Sequence, residues 1–252
     1  MDIPTTEDVI CVIPARWGST RFPGKAIAEI EGSPMIQWVV RRAMEAEEID
    51  AVYVATDDER ILDAVEPGPA EGIITSKDHT SGSDRVAEVA RDHSADIVVN
   101  VQGDEPLTSS RGLDRGIRAL KRDPEADVTT FAYQGGKTEY HNPDNVKIVR
   151  DHNDRALYFS RSPIPHNESV PETVLVHIGI YIYRYEALIE FTESQSAPLE
   201  TSEDLEQLRL MQKGKTYKIV ELEEPTVGVD RPEDVEKVEN ELGRRGEEDL
   251  LQ

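Results

Sequence analysis

Short, wholly apolar runs alternate along this chain with stretches whose apolar residues recur every three or four positions. VICVIP (9–14) holds no polar residue and predicts a buried strand. A helical period follows, with Ser33 as cap and Pro34 at the first helical position, running through MIQWVVRRAMEAEE to about residue 48. AVYVAT (51–56) predicts a second strand, and Asp57-Asp58 caps a short helix, ERILDAVE. GIIT (72–75) reads as a third strand, 82–92 as a helix, and DIVVNVQ (96–102) as a fourth strand. A helix over about 109–122 and the strand VTTFAY (128–133) complete this part.

The rhythm changes after about residue 134. VKIVR (146–150) and ALYFS (156–160), separated by the turn cluster DHNDR, predict a hairpin. A Pro-rich loop (162–174) leads into the long strand VLVHIGIYIYRY (174–185). Two helices are expected over about 185–194 and 200–213, then the strand TYKIVEL and a C-terminal helix opening at Arg231-Pro232. Strand–helix alternation at this spacing implies an α/β fold in three layers, a mainly parallel sheet covered by helices, with a small antiparallel insertion over about 135–185. No linker interrupts it, so a single domain over 1–252 is expected. Ligands of such sheets bind beyond the carboxyl ends of the strands, which directs attention to the residues after Pro14, Thr56, Thr75 and Gln102.

Composition narrows the choice of ligand. The 252 residues carry 51 acidic against 28 basic side chains, a formal charge of −23. That excludes a general nucleic-acid footprint and disfavours an anionic membrane surface. Lys is scarce beside Arg, and acid excess with few lysines suits a halophilic source, where salt screens self-repulsion. With Cys11 as its one cysteine, the chain forms no internal disulfide and no cysteine-based zinc site. MDIPTTEDVI (1–10) lacks a basic segment, and no run approaches the roughly 18 apolar residues of a membrane span. A soluble, cytoplasmic protein is expected.

Against this acidic background the loop ARWGSTRFPGK (15–25) concentrates Arg16, Arg21 and Lys25 beyond the first strand. Flexible backbone with Arg and Lys is the chemistry of a polyphosphate cradle. It is not a Walker A loop: five residues separate Gly18 from Gly24-Lys25, and Ala26 stands where a magnesium-binding hydroxyl belongs. No G-x-G-x-x-G fingerprint occurs either. NVQGDEP (100–106) ends the fourth strand and sets Asp104 at its carboxyl edge, a position suited to Mg²⁺, which takes one or two carboxylates plus substrate phosphates. Asp230 in TVGVDRPED serves equally as a metal ligand or a helix cap. The six histidines form no zincin motif.

In order along nearly the whole chain, IPARWGSTRFPGK, KDHTSGSDRVAEV (77–89), NVQGDEP, ALYFSRSPIP (156–165), HIGIYIYR (177–184), LEQLRL (205–210) and GVDRPED (228–234) resemble the sugar-acid cytidylyltransferases, most closely the 3-deoxy-manno-octulosonate (Kdo) type. The resemblance implies Mg²⁺-dependent transfer of CMP from CTP to a sugar acid, with release of pyrophosphate, in a homodimer that feeds lipopolysaccharide synthesis. It implies that Arg16, Ser19, Arg21 and Lys25 hold the triphosphate and that Asp104 and Asp230 bind the metal. Ser81, Gly82 and Arg85 then surround cytidine, Gln102 contacts the substrates, and His177, Tyr181, Glu206 and Gln207 line the sugar-acid pocket. Interface contacts would fall on the 146–160 hairpin and the strand after residue 174.

The chain departs from the family pattern at Thr80, His166 and Arg231, the last two near the expected sugar pocket or metal. Those departures leave a second acceptor class open, another nonulosonic acid of sialic or legionaminic type. A non-catalytic nucleotide-binding regulator is the alternative from another class, and retention of both Asp104 and Asp230 argues against it.

Overall fold

The computed structural model describes residues 7–19, 21–66, 68–79, 81–166 and 172–250, with side chains to residue 244. Thr80 and residues 167–171 of the Pro-rich loop lie outside the described residues. Two compact units result, one formed by residues 1–114 with 226–252 and the other by residues 115–225. The second unit thus begins earlier and ends later than the antiparallel insertion read from the sequence.

In the first unit a parallel sheet runs in the order β5 (Glu71–Ile74), β4 (Ala51–Thr56), β1 (Val9–Ala15), β6 (Ile97–Asn100). Every residue of β1 is buried, as its unbroken apolar run requires for a strand covered on both faces. The helices α1 (Met35–Met44), α2 (Glu59–Val65) and α3 (Gly82–Arg91) cover this sheet. Asp58 caps α2 by accepting the Arg60 amide, as its sequence position predicts. Helix α1 starts differently from the expectation. Ser33-Pro34 pairs as a short strand, β3, with β2 (Glu29–Ile30), so Pro34 is the cap residue and Met35 the first helical one. The Met35 amide donates to Ala28 O at 2.8 Å, so the hairpin contact takes the place of a serine cap.

Helix α4 (Ser110–Arg122) precedes the strands of the second unit, whose order is β11 (Tyr217–Leu222), β7 (Val128–Gly135), β10 (Val174–Arg184), β8 (Lys147–Arg150), β9 (Ala156–Ser160). Among these five strands the pairings are antiparallel except β7 with β11. The predicted hairpin is β8–β9. A short helix the sequence reading lacks, α5 (Lys137–His141), follows β7. After α6 (Tyr185–Glu193), the single helix expected over 200–213 is two, α7 (Pro198–Glu203) and α8 (Gln207–Gln212). They are divided at Asp204, which takes a left-handed conformation, φ 53°. The C-terminal helix α9 (Pro232–Leu250) begins where the Arg231-Pro232 signal places it. Among the described residues no helix is long and apolar enough to cross a membrane.

Candidate active site

The carboxyl ends of β1, β4, β5 and β6 carry ten of the residues singled out by sequence, together with the segment that precedes α9. The basic loop leaves β1 and folds upon itself. Ser19 and Gly24 amides both donate to Trp17 O, at 2.9 and 3.1 Å, and the Phe22 amide donates to Ser19 Oγ at 3.4 Å. Gly24 is required here on two grounds. Its φ is +69°, and a Cβ would lie 2.9 Å from the Trp17 ring. The Arg60 guanidinium stacks over that ring at 3.3 Å from its centroid. Arg16 stands exposed at the start of the loop.

At the end of the loop Lys25 turns toward two carboxylates. Its ammonium hydrogen-bonds Asp104, donates to Val229 O at 3.2 Å and stands 3.6 Å from Asp230. Arg21 reaches the other oxygen of Asp230 at 3.2 Å. These pairs follow from two local devices. Gly103 lets the chain after β6 pass close to β1, since a Cβ there would meet Pro14 O at 2.9 Å. Val229 is buried in a cluster with Ile30, Met35, Leu107, Val238 and Leu242, and its amide donates to Asp104 O at 2.9 Å. Burying Val229 anchors the neighbouring Asp230 beside Asp104.

The charges of Lys25 and Arg21 balance those of Asp104 and Asp230 as the site stands. Two hard oxygen donors with no imidazole or thiolate suit a divalent ion that completes its shell with water and phosphate oxygens. Such an ion would leave the two cations and the exposed Arg16 to face a polyphosphate. Glu105, unremarked in the sequence, adds a buried carboxyl next door. Burial and the neighbouring Asp104 charge push it up to about 7, and one of its oxygens has no hydrogen-bond partner.

Ser81 and Arg85 are more committed than the sequence suggested. Ser81 caps α3 in a reciprocal box with Asp84. Arg85 is buried, donating to Asp57 Oδ2 at 3.0 Å and to the Thr75 hydroxyl. Gly82 packs against Pro14 and Gln102, and Gln102 donates to the buried Asn100 at 3.0 Å. Asp57 was readable as a cap residue, and Thr75 as a residue beyond a strand end. Neither carried a signal for its partner, because Arg85 joins positions 10 and 28 residues away along the chain.

The remaining four candidates belong to the second unit. His177 and Tyr181 stand on β10, with ring centroids 5.5 Å apart. The Tyr181 hydroxyl donates to Gln207 Oε1 at 3.2 Å. Gln207 is 4% exposed, and its amide nitrogen has no hydrogen-bond partner. Burial pushes His177 down to about 3, and burial together with the Glu206 charge raises Tyr181. Glu206 itself is exposed at the start of α8. His166 and Arg231, where the chain departs from the family pattern, are both exposed.

Comparison with known proteins agrees with this geometry. The family model for cytidylyltransferases matches residues 10–219. The 3-deoxy-manno-octulosonate cytidylyltransferase of Pelobacter propionicus is 44% identical over 243 residues, covering 91% of this chain and 95% of its own. That of Bdellovibrio bacteriovorus is 39% identical over 244 residues, covering 94% and 99%. The solved structure of a CMP:2-keto-3-deoxy-manno-octonic acid synthetase complexed with CTP superposes with a TM-score of 0.90 at 40% identity, covering 94% of this chain and 99% of that one. A 4-diphosphocytidyl-2C-methyl-D-erythritol synthase from Anaerococcus prevotii, 14% identical with a TM-score of 0.63, shares the fold.

Proposed function

The chain belongs to the cytidylyltransferase family, and from that premise we propose that it transfers CMP from CTP to the anomeric hydroxyl of 3-deoxy-manno-octulosonate or a close 3-deoxy-ulosonic acid. The observation that carries the reading is the convergence of Lys25 on Asp104 and Asp230 beyond the ends of β1 and β6. In this reaction the sugar oxygen bonds to the α-phosphorus, the bond from that phosphorus to the bridging oxygen breaks, and pyrophosphate leaves. The hydroxyl proton passes to solvent. No covalent enzyme intermediate is needed, so the work is alignment and neutralisation of charge.

Arg16, Arg21, Ser19 and Lys25 serve the triphosphate in this reading, Lys25 as the point charge nearest the carboxylates. The family uses a divalent metal, and Mg²⁺ fits the two-carboxylate donor set of Asp104 and Asp230. When bound it supplies charge neutralisation at the phosphate and lowers the pKa of a hydroxyl it holds. Ser81, Gly82, Arg85 and Gln102 flank the nucleoside. His177, Tyr181, Glu206 and Gln207 receive the sugar acid, a role suited to the buried, unpartnered amide nitrogen of Gln207. A homodimer would pair through the β8–β9 hairpin, where Leu157 is 62% exposed. A cytoplasmic site of action follows from the need for CTP.

The test is Asp104→Asn. Turnover falls at least about a hundredfold, the size of loss typical of removing a principal electrostatic group, while circular dichroism stays unchanged. Full CTP-dependent turnover in this variant would refute the metal assignment.

A further inference from the structure

We infer that Thr130 is a positioning residue for His177: its hydroxyl fixes the imidazole as the tautomer protonated on Nε2, so that Nδ1 is offered as an acceptor to a hydroxyl of the sugar acid. The inference rests on the proposed function for its ligand, but the tautomer itself is a property of the unliganded protein.

Pairing of β10 with β7 steps from Ile178 opposite Phe131 to Tyr181 opposite Thr130. Gly179 and Ile180 are extra, and the strand bulges between His177 and Tyr181. Thr130 is wholly buried at this bulge, and its hydroxyl has three neighbours. Ile180 O lies at 2.8 Å, Ile178 O at 3.3 Å and His177 Nε2 at 2.9 Å.

A hydroxyl has one proton to give and two lone pairs. Both carbonyls accept only. Were the Thr130 proton given to His177, the two carbonyl oxygens would face bare lone pairs in a buried space, which is costly. The proton therefore goes to Ile180 O, the shorter contact, and Nε2 of His177 must carry the hydrogen it donates to Thr130. Burial disfavours the charged imidazole, so the ring is neutral and Nδ1 is bare. No hydrogen bond to Nδ1 is found among the described residues.

The consequence is a division of labour for the acceptor substrate. A bare Nδ1 takes a hydrogen bond from a hydroxyl and repels a carboxylate. Nearby, the donor with spare capacity is the buried amide nitrogen of Gln207. His177 thereby selects for a hydroxyl in one place and Gln207 for the acid in another.

Long-range ¹⁵N correlation spectra of the full-length unliganded protein, with His177 assigned by loss of its signals in His177→Gln, read the tautomer directly. Wild type and Thr130→Ser show the Nε2–H form, whereas Thr130→Val shows a mixture or the Nδ1–H form. In kinetics, Thr130→Val raises KM for the sugar acid about tenfold, the loss of one hydrogen bond, with KM for CTP within about twofold. Thr130→Ser restores it. An Nδ1–H imidazole in wild type overturns the inference even if Thr130→Val does not fold, and so does an unchanged tautomer in a folded Thr130→Val. If the tautomer shifts as stated while the sugar-acid KM of Thr130→Val and His177→Gln does not move, the placement of the sugar acid at His177 is what fails.

Discussion

Arg85 and Asp57 form a 3.0 Å ion pair in which the arginine side chain is only 4% exposed, and the same aspartate accepts the Trp17 amide at 3.4 Å. The guanidinium also donates to Thr75, whose hydroxyl donates in turn to Thr56 O at 3.0 Å. One buried cation thus ties the ends of β4 and β5 to α3 and to the start of the basic loop.

Removing that cation leaves Asp57 without its main partner. Arg85→Met is expected to lose about 3 kcal/mol of stability by urea unfolding, the usual cost of breaking a buried pair from one side. The double variant Arg85→Met with Asp57→Leu should lose less. Equal losses would show that the pair is not the source of the stability.

Much of this architecture was legible. The apolar run at 9–14 gave β1, the Asp58 cap gave α2, and Arg231-Pro232 gave the start of α9, because each is a local rule acting on neighbouring residues. The basic loop and Asp104 stood out because cations are rare in this acidic chain and Asp104 follows an apolar run, whereas Asp230 read equally as a helix cap until the fold set it beside Lys25 and Arg21. What escaped was set by tertiary contact. Pro34 lost its helical position to pairing between residues 29–30 and 33–34. Asp204 broke a helix that amphipathic period alone would continue. Arg85 is buried, and that burial depends on Asp57 and Thr75, which no local pattern announces. Thr130 gave no signal at all, since a threonine in a strand is ordinary until a bulge brings two carbonyls and an imidazole to its hydroxyl.

His177 makes stability depend on pH with a definite sign. Its pKa is about 3 in the folded protein against 6.5 when free, so the unfolded chain binds more protons between those values. Stability is undiminished above 6.5 and falls as pH drops toward 3. Between pH 6.5 and 5 the ideal loss is about 2 kcal/mol, at 1.36 kcal/mol per pH unit and proton. His177→Gln should flatten this limb relative to wild type in urea titrations at each pH. Parallel profiles would mean that the imidazole is protonated in the native state.

The formal charge of −23 carries a prediction about salt. Raising KCl from about 0.1 M to about 1 M shortens the Debye length from about 10 Å to about 3 Å and screens self-repulsion. The thermal midpoint should rise by several degrees, about 2–4 °C for each kcal/mol gained. A midpoint that falls or stays level would argue against a protein built for a high-salt interior.

The central claim is transfer of CMP to a sugar acid at the Lys25, Asp104 and Asp230 centre. Its most direct test is pyrophosphate release from CTP and Mg²⁺ in molar KCl, with and without 3-deoxy-manno-octulosonate. Release that requires the sugar acid and disappears in Asp104→Asn is the predicted result. Release with only a different nonulosonic acid would move the acceptor and keep the chemistry. Binding of CTP without release, with every sugar acid supplied, would contradict the account.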